Sequence, residues 1–162
     1  MYAIQLQLTE LADTEKLGRL LGQSAGAGDV ICLDGDLGAG KTTLTQAIAR
    51  GLGVPEKCYV TSPSFAILHE YEGRLPMYHL DFYRLHDATD VLDMGFDEYF
   101  YLDGLTVIEW SKRAETILPR ERLSLELQLH GDMQRTVTIT ATDALVERLH
   151  WLDQEFKCQP LP

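Results

Sequence analysis

Gly35, Gly40, Lys41 and Thr42 stand at the spacing G-x-x-x-x-G-K-T. Glycines so placed let a short loop curl until its N–H groups point inward at phosphate oxygens. A lysine at the end of that loop reaches the β- and γ-phosphates, and the hydroxyl after it is a ligand for Mg²⁺. The flanks agree with this chemistry. Val30-Ile31-Cys32-Leu33 is a short apolar, β-branched run that predicts a buried strand. Lys41 to Leu52 predicts a helix, ended by Gly53 and Pro55. The start of that helix adds the positive end of its dipole to the anion site.

A phosphate loop also needs an acid to hold the metal, and the end of a neighbouring apolar strand supplies one. Glu109 follows Leu105-Thr106-Val107-Ile108 and fits best. Asp81 follows Met77-Tyr78-His79-Leu80 and is the second candidate. One of the two acids serves the metal, and the other can orient the attacking water. The lysines after the loop, Lys57, Lys112 and Lys157, form no N/T-K-x-D setting, which counts against a guanine nucleotide. Arg113, Arg120 and Arg122 beside Pro119 are either a solvated loop or the lid of a small-molecule kinase.

The elements that must position these residues are readable around them. Tyr2, Ile4, Leu6 and Leu8 alternate with polar residues as a half-buried strand, and Asp13 to Ser24 has helical spacing. Phe65 to Tyr71 and Leu75 to Leu80 read as a hairpin turning at Glu72-Gly73. Asp87 to Tyr99 has broken helical spacing, interrupted by Gly95. Leu123 to Leu129 and Thr136 to Thr140 form a second hairpin around Gly131-Asp132, and a last helix is predicted from about Ala144 to Phe156. This order predicts an α/β fold: a three-layer, phosphate-loop NTPase-like sandwich around a mixed, largely parallel sheet with peripheral hairpins. Residues 1–162 read as a single domain, with 151–162 as a tail.

Fourteen Lys plus Arg against 25 Asp plus Glu give a net charge of −11. So acidic a chain is a poor stand-alone binder of nucleic acid. No apolar run approaches the ~20 residues needed to span a bilayer. Cys32, Cys58 and Cys158 are scattered and form no metal cluster with the histidines, which fits reduced thiols in the cytoplasm.

Several segments together resemble the bacterial TsaE family, in order and at similar separations. They are Gly35 to Thr43, Thr61-Ser62-Pro63-Ser64-Phe65, His79-Leu80-Asp81-Phe82-Tyr83-Arg84-Leu85 and Glu109-Trp110. Ser64 departs from the family's usual Thr but keeps the hydroxyl. The resemblance runs from about Leu8 to Ile139, and nothing after His150 takes part.

The resemblance implies a weak, partner-regulated ATPase of tRNA threonylcarbamoyladenosine formation, with ATP and Mg²⁺ as ligands. TsaD and TsaB, which act on tRNA adenosine, would be its partners. The chain would meet tRNA only indirectly, would not touch membrane, and would be monomeric alone. By motif position, Lys41, Asp81 and Glu109 would be catalytic, and Thr42 and Glu109 would hold the metal. Asp36, Leu37, Gly38, Ala39, Gly40, Lys41, Thr42, Thr43 and Trp110 would line the nucleotide, with weaker assignments for Leu11 and Arg135. Thr61, Ser62, Pro63, Ser64, His79, Tyr83 and Arg84 would form a switch or partner surface.

Several of these residues have plainer readings. His79 can be a satisfied core histidine and Trp110 ordinary core. Ser62 and Ser64 can be turn hydroxyls around Pro63, with Thr61 or Ser64 as a γ-phosphate sensor in the sharper reading. Phe82, Phe96, Tyr99 and Phe100 are core or an exposed docking patch. Beside the ATPase, two other classes stay open: a small-molecule kinase and a nucleotide-gated binding module.

Overall fold

The computed structural model describes residues 1–161. Among the described residues, eight strands form one sheet in the order β3-β4-β5-β2-β6-β7-β1-β8. They are β1 (Tyr2–Leu8), β2 (Val30–Gly35), β3 (Leu68–Glu72), β4 (Pro76–Asp81), β5 (Leu105–Glu109), β6 (Leu123–His130), β7 (Gln134–Ala141) and β8 (Cys158–Pro160). The sheet is mixed, as expected. Its parallel pairings, β4–β5, β5–β2 and β2–β6, are gathered at the centre. Both flanks are antiparallel.

Period-two alternation sends each strand's apolar residues to two different layers. Ile31 and Leu33 of β2 join Leu105 and Val107 of β5 under helices α1 (Leu11–Ser24) and α2 (Lys41–Leu52). Val30 and Cys32 join Ile108 on the opposite face. There the cover is α3 (Ala88–Asp93) and two 3₁₀ turns, Phe96–Tyr101 and Ser111–Ile117. Phe82 and Phe100 are fully buried in this second layer, so these two are core, not a docking patch.

α1 and α2 pack with almost no separation. A Cβ added at Gly18 would run into Ala47, and one at Gly22 into the Ile48 carbonyl. α2 is thereby pinned along its length, with its first residue, Lys41, fixed at the edge of the sheet.

Three local expectations change. Phe65 to Ile67 do not extend β3, because Ile67 turns into a left-handed conformation (φ 69) and the strand begins at Leu68. The last helix breaks into α4 (Asp143–Val146), a 3₁₀ turn at Glu147–Leu149 and α5 (Trp151–Glu155). The segment read as a tail is built into the fold as far as it is described. Leu152 is buried in the core, and β8 pairs antiparallel with β1. Among the described residues, no helix is long and apolar enough to cross a membrane.

Candidate functional site

The loop from Gly35 to Gly40 links the central strand β2 to α2. Gly38 and Gly40 sit at φ 82 and 106, a region that side chains with a Cβ avoid, and Gly40 caps the helix. Lys41 is 5% exposed. Its ammonium folds back and donates to the carbonyls of Gly35 (2.6 Å) and Asp36 (2.9 Å). It also lies 4.1 Å from the centre of the Trp110 ring. Burial pushes the Lys41 pKa down, opposed by the nearby carboxylates of Glu109, Asp34, Asp81 and Asp36. A second cation braces the loop: Arg135 on β7 donates from Nε to the Ala39 carbonyl at 2.9 Å.

The register of β4 against β5 sets Asp81 directly beside Glu109. Glu109 is 2% exposed. Its Oε2 accepts from the Thr42 hydroxyl at 3.1 Å. Its Oε1 accepts from His79 Nε2 at 3.0 Å and lies 3.1 Å from the Thr45 hydroxyl, which also reaches the Lys41 carbonyl. A carboxylate only accepts, so the His79 proton sits on Nε2. His79 is completely buried, and its Nδ1 has no partner among the described residues. Its expected place on a switch or partner surface is therefore corrected: the β-strand period turns it inward, behind Glu109.

Asp81 is held separately. Its Oδ2 accepts from the Ser62 hydroxyl (2.6 Å) and its Oδ1 from the Tyr83 amide (2.9 Å). The Ser62 and Ser64 hydroxyls are 3.1 Å apart; with the Ser62 proton given to Asp81, Ser64 donates to Ser62.

These groups surround a cleft of about 430 Å³. Gly38, Gly40, Lys41, Thr42 and Thr43 line it together with Ser62, Ser64 and Asp81. Tyr83, Arg84, Glu109, Trp110, Leu37 and Arg135 complete the lining. The Tyr83 and Trp110 rings are 4.9 Å apart, and the Arg84 guanidinium lies over the Phe65 ring at 4.2 Å.

Other candidates are placed elsewhere. Leu11 opens α1, is 44% exposed and does not line the cleft. Thr61 is exposed and receives no role at Asp81, its amide donating instead to the Tyr71 hydroxyl. Pro63 is buried beneath the loop, and Asp36 borders a neighbouring hollow on the far side of Trp110. None of the lid-like arginines lines the cleft: Arg113 lies 5.9 Å from the Trp110 ring but borders the neighbouring hollow, and Arg122 donates to the Pro119 carbonyl.

The donors fit a hard divalent ion. Mg²⁺ takes oxygen ligands, keeps several waters and is commonly held by one or two protein oxygens plus phosphates. The Thr42 hydroxyl and Glu109 carboxylate supply such a pair. Sequence reasoning missed Thr45 and Asp34. Thr45 lies one helical turn from Lys41 and Thr42, so helical spacing alone could have placed it on the same face.

Comparisons with known proteins show which family the chain resembles. A family model described as threonylcarbamoyl adenosine biosynthesis protein TsaE matches residues 8–137. The tRNA threonylcarbamoyladenosine biosynthesis protein TsaE of Bacillus subtilis is 44% identical over 138 residues, 85% of each chain. Its counterpart in Treponema pallidum is 39% identical over 127 residues, covering 78% of this chain and 93% of the other. The crystal structure of Bacillus subtilis YdiB superposes with a TM-score of 0.80 at 36% identity, covering 95% and 97% of the two chains.

Proposed function

The chain belongs to the TsaE family of tRNA threonylcarbamoyladenosine biosynthesis proteins, and from that premise we propose that it binds and hydrolyses Mg-ATP to support turnover of a TsaB–TsaD complex. The observation that carries the reading is the Thr42–Glu109 hydrogen bond at the mouth of the glycine loop, with Lys41 beside it.

In this reading the loop amides and the start of α2 receive the phosphates. Lys41 leaves the Gly35 and Asp36 carbonyls and neutralises phosphate charge. Thr42 and Glu109 would hold Mg²⁺, which when bound offsets charge on the phosphate oxygens. His79 and Thr45 grip Oε1 of Glu109, so that Oε2 keeps its aim. Asp81 orients the attacking water or takes its proton, with the Tyr83 amide fixing the carboxylate. Leu37, Trp110 and Arg135 close the ends of the cleft.

Slow turnover by the chain alone has a physical basis here. Asp81 is engaged by Ser62, and Arg84 is stacked on Phe65. A partner that reorganises residues 61–84 would release both groups. A charge-stabilising arginine is worth ~10³–10⁵ in related phosphate-loop reactions. The net charge of −11 is compatible with tRNA being reached through partner proteins in the cytoplasm.

The test is phosphate release from Mg-ATP by the purified chain, alone and with TsaB and TsaD. Weak release that rises with the partners supports the proposal. Release indifferent to them points to a kinase and a screen of small phosphoacceptors. No release in either case points to a nucleotide-gated binding module.

A further inference from the structure

Trp110 has a left-handed backbone (φ 58, ψ 40). A bulky residue holds that conformation only where its surroundings impose it. The restraint comes from the two residues of β2 that precede the glycine loop. The Trp110 amide donates to the Leu33 carbonyl at 3.0 Å. The Ser111 hydroxyl donates to Asp34 Oδ2 at 2.5 Å, and the Lys112 amide donates to Asp34 Oδ1 at 3.1 Å. Three consecutive residues after Glu109 are thus tied to Leu33 and Asp34.

Asp34 is 7% exposed, and Ser111 is 2% exposed. The Lys112 ammonium is paired with Glu126, so Asp34 is not there to satisfy that cation. Both of its oxygens accept hydrogen bonds from the turn, and its charge also acts on nearby Lys41. The turn's product is the placement of the Trp110 ring, 4.1 Å from Lys41 Nζ and 4.9 Å from the Tyr83 ring, at one end of the cleft.

We infer that Asp34 is a positioning residue of the phosphate site, its carboxylate fixing the turn that lays Trp110 across Lys41. The inference rests on the reading that the cleft takes Mg-ATP. A carboxylate is required because two donors arrive at two oxygens. An asparagine has one acceptor oxygen and presents its NH₂ group to the other donor.

The test uses the full chain carrying Trp151→Phe, which leaves Trp110 as the sole tryptophan of the two in the sequence. Asp34→Asn and Ser111→Ala are added separately. The readouts are acrylamide quenching of Trp110 in the free chain and the Kd for Mg-ATP. Asp34→Asn should raise the quenching constant and weaken Mg-ATP by roughly tenfold, the value of a charge-assisted hydrogen bond. Ser111→Ala leaves the Lys112 contact in place and should move both readouts less, in the same direction. It also carries the test if Asp34→Asn does not fold.

Quenching unchanged in the folded variants, whatever their melting temperature, overturns the inference and leaves Asp34 a role in stability alone. If the Trp151→Phe parent binds no Mg-ATP, the nucleotide reading fails, while quenching still decides the role of Asp34.

Discussion

Asp81 and Glu109 are neighbours in register on parallel strands, yet their carboxylates answer to different parts of the chain. Glu109 is gripped from α2 and from within the sheet, by Thr42, Thr45 and His79. Asp81 is gripped from two loops, by the Ser62 hydroxyl ahead of β3 and by the Tyr83 amide just after β4. One acid is fixed by a helix and a neighbouring strand, the other by residues outside the helices and strands. On the proposed reading, the first would hold the metal and the second would serve the nucleotide-dependent step.

Asp81→Asn tests this division directly. A group acting on the water should lower kcat by ~10²–10⁴ when lost, with little change in the Kd for Mg-ATP. Steady-state hydrolysis and calorimetric titration separate the two quantities. Loss of ATP binding in a folded variant would instead make Asp81 part of the metal or folding apparatus.

His79→Ala should weaken Mg²⁺ binding in the presence of ATP by ~10–100-fold, the usual effect of losing a group that orients a metal ligand. A Mg²⁺ titration at fixed ATP reads it. An unchanged Mg²⁺ dependence would leave His79 with packing alone.

Lys41→Met should abolish nucleotide binding and raise the melting temperature near neutral pH. Burial holds the folded-state pKa of Lys41 below its ordinary value of 10.5. The unfolded chain therefore binds this proton more readily, and the penalty is fully present below the folded pKa. It fades as pH rises from the lowered pKa toward 10.5. The stability gap between variant and wild type should close over that alkaline window. Melting curves from pH 7 upward check both the sign and the window.

Gly22→Ala should destabilise the chain by about 1–3 kcal/mol despite alanine's better helix propensity. The added methyl would meet α2 backbone, which cannot yield as a side chain can. Urea denaturation measures it. A neutral result would show that α1 can shift away from α2.

The glycine loop, Thr42, Glu109 and Asp81 were legible because each is a local pattern: a loop spacing, or an acid at the end of an apolar run. Thr45, the His79–Glu109 bond and the grip of Asp34 were not, because they exist only once β2, β4 and β5 are set side by side. His79 shows the difference well. Its strand was visible, but which face it took depended on register. The end of the chain was misread for another reason. A three-residue strand such as β8 carries too little periodicity to announce itself and is made by its pairing with β1.

That short strand, with β3 at the opposite rim, governs how the sheet meets its surroundings. β8 is three residues long and includes Pro160, which has no amide hydrogen to offer a newcomer. β3 is five residues long and exposes Glu70 and Glu72. Strand-by-strand growth into a larger assembly is discouraged at both margins.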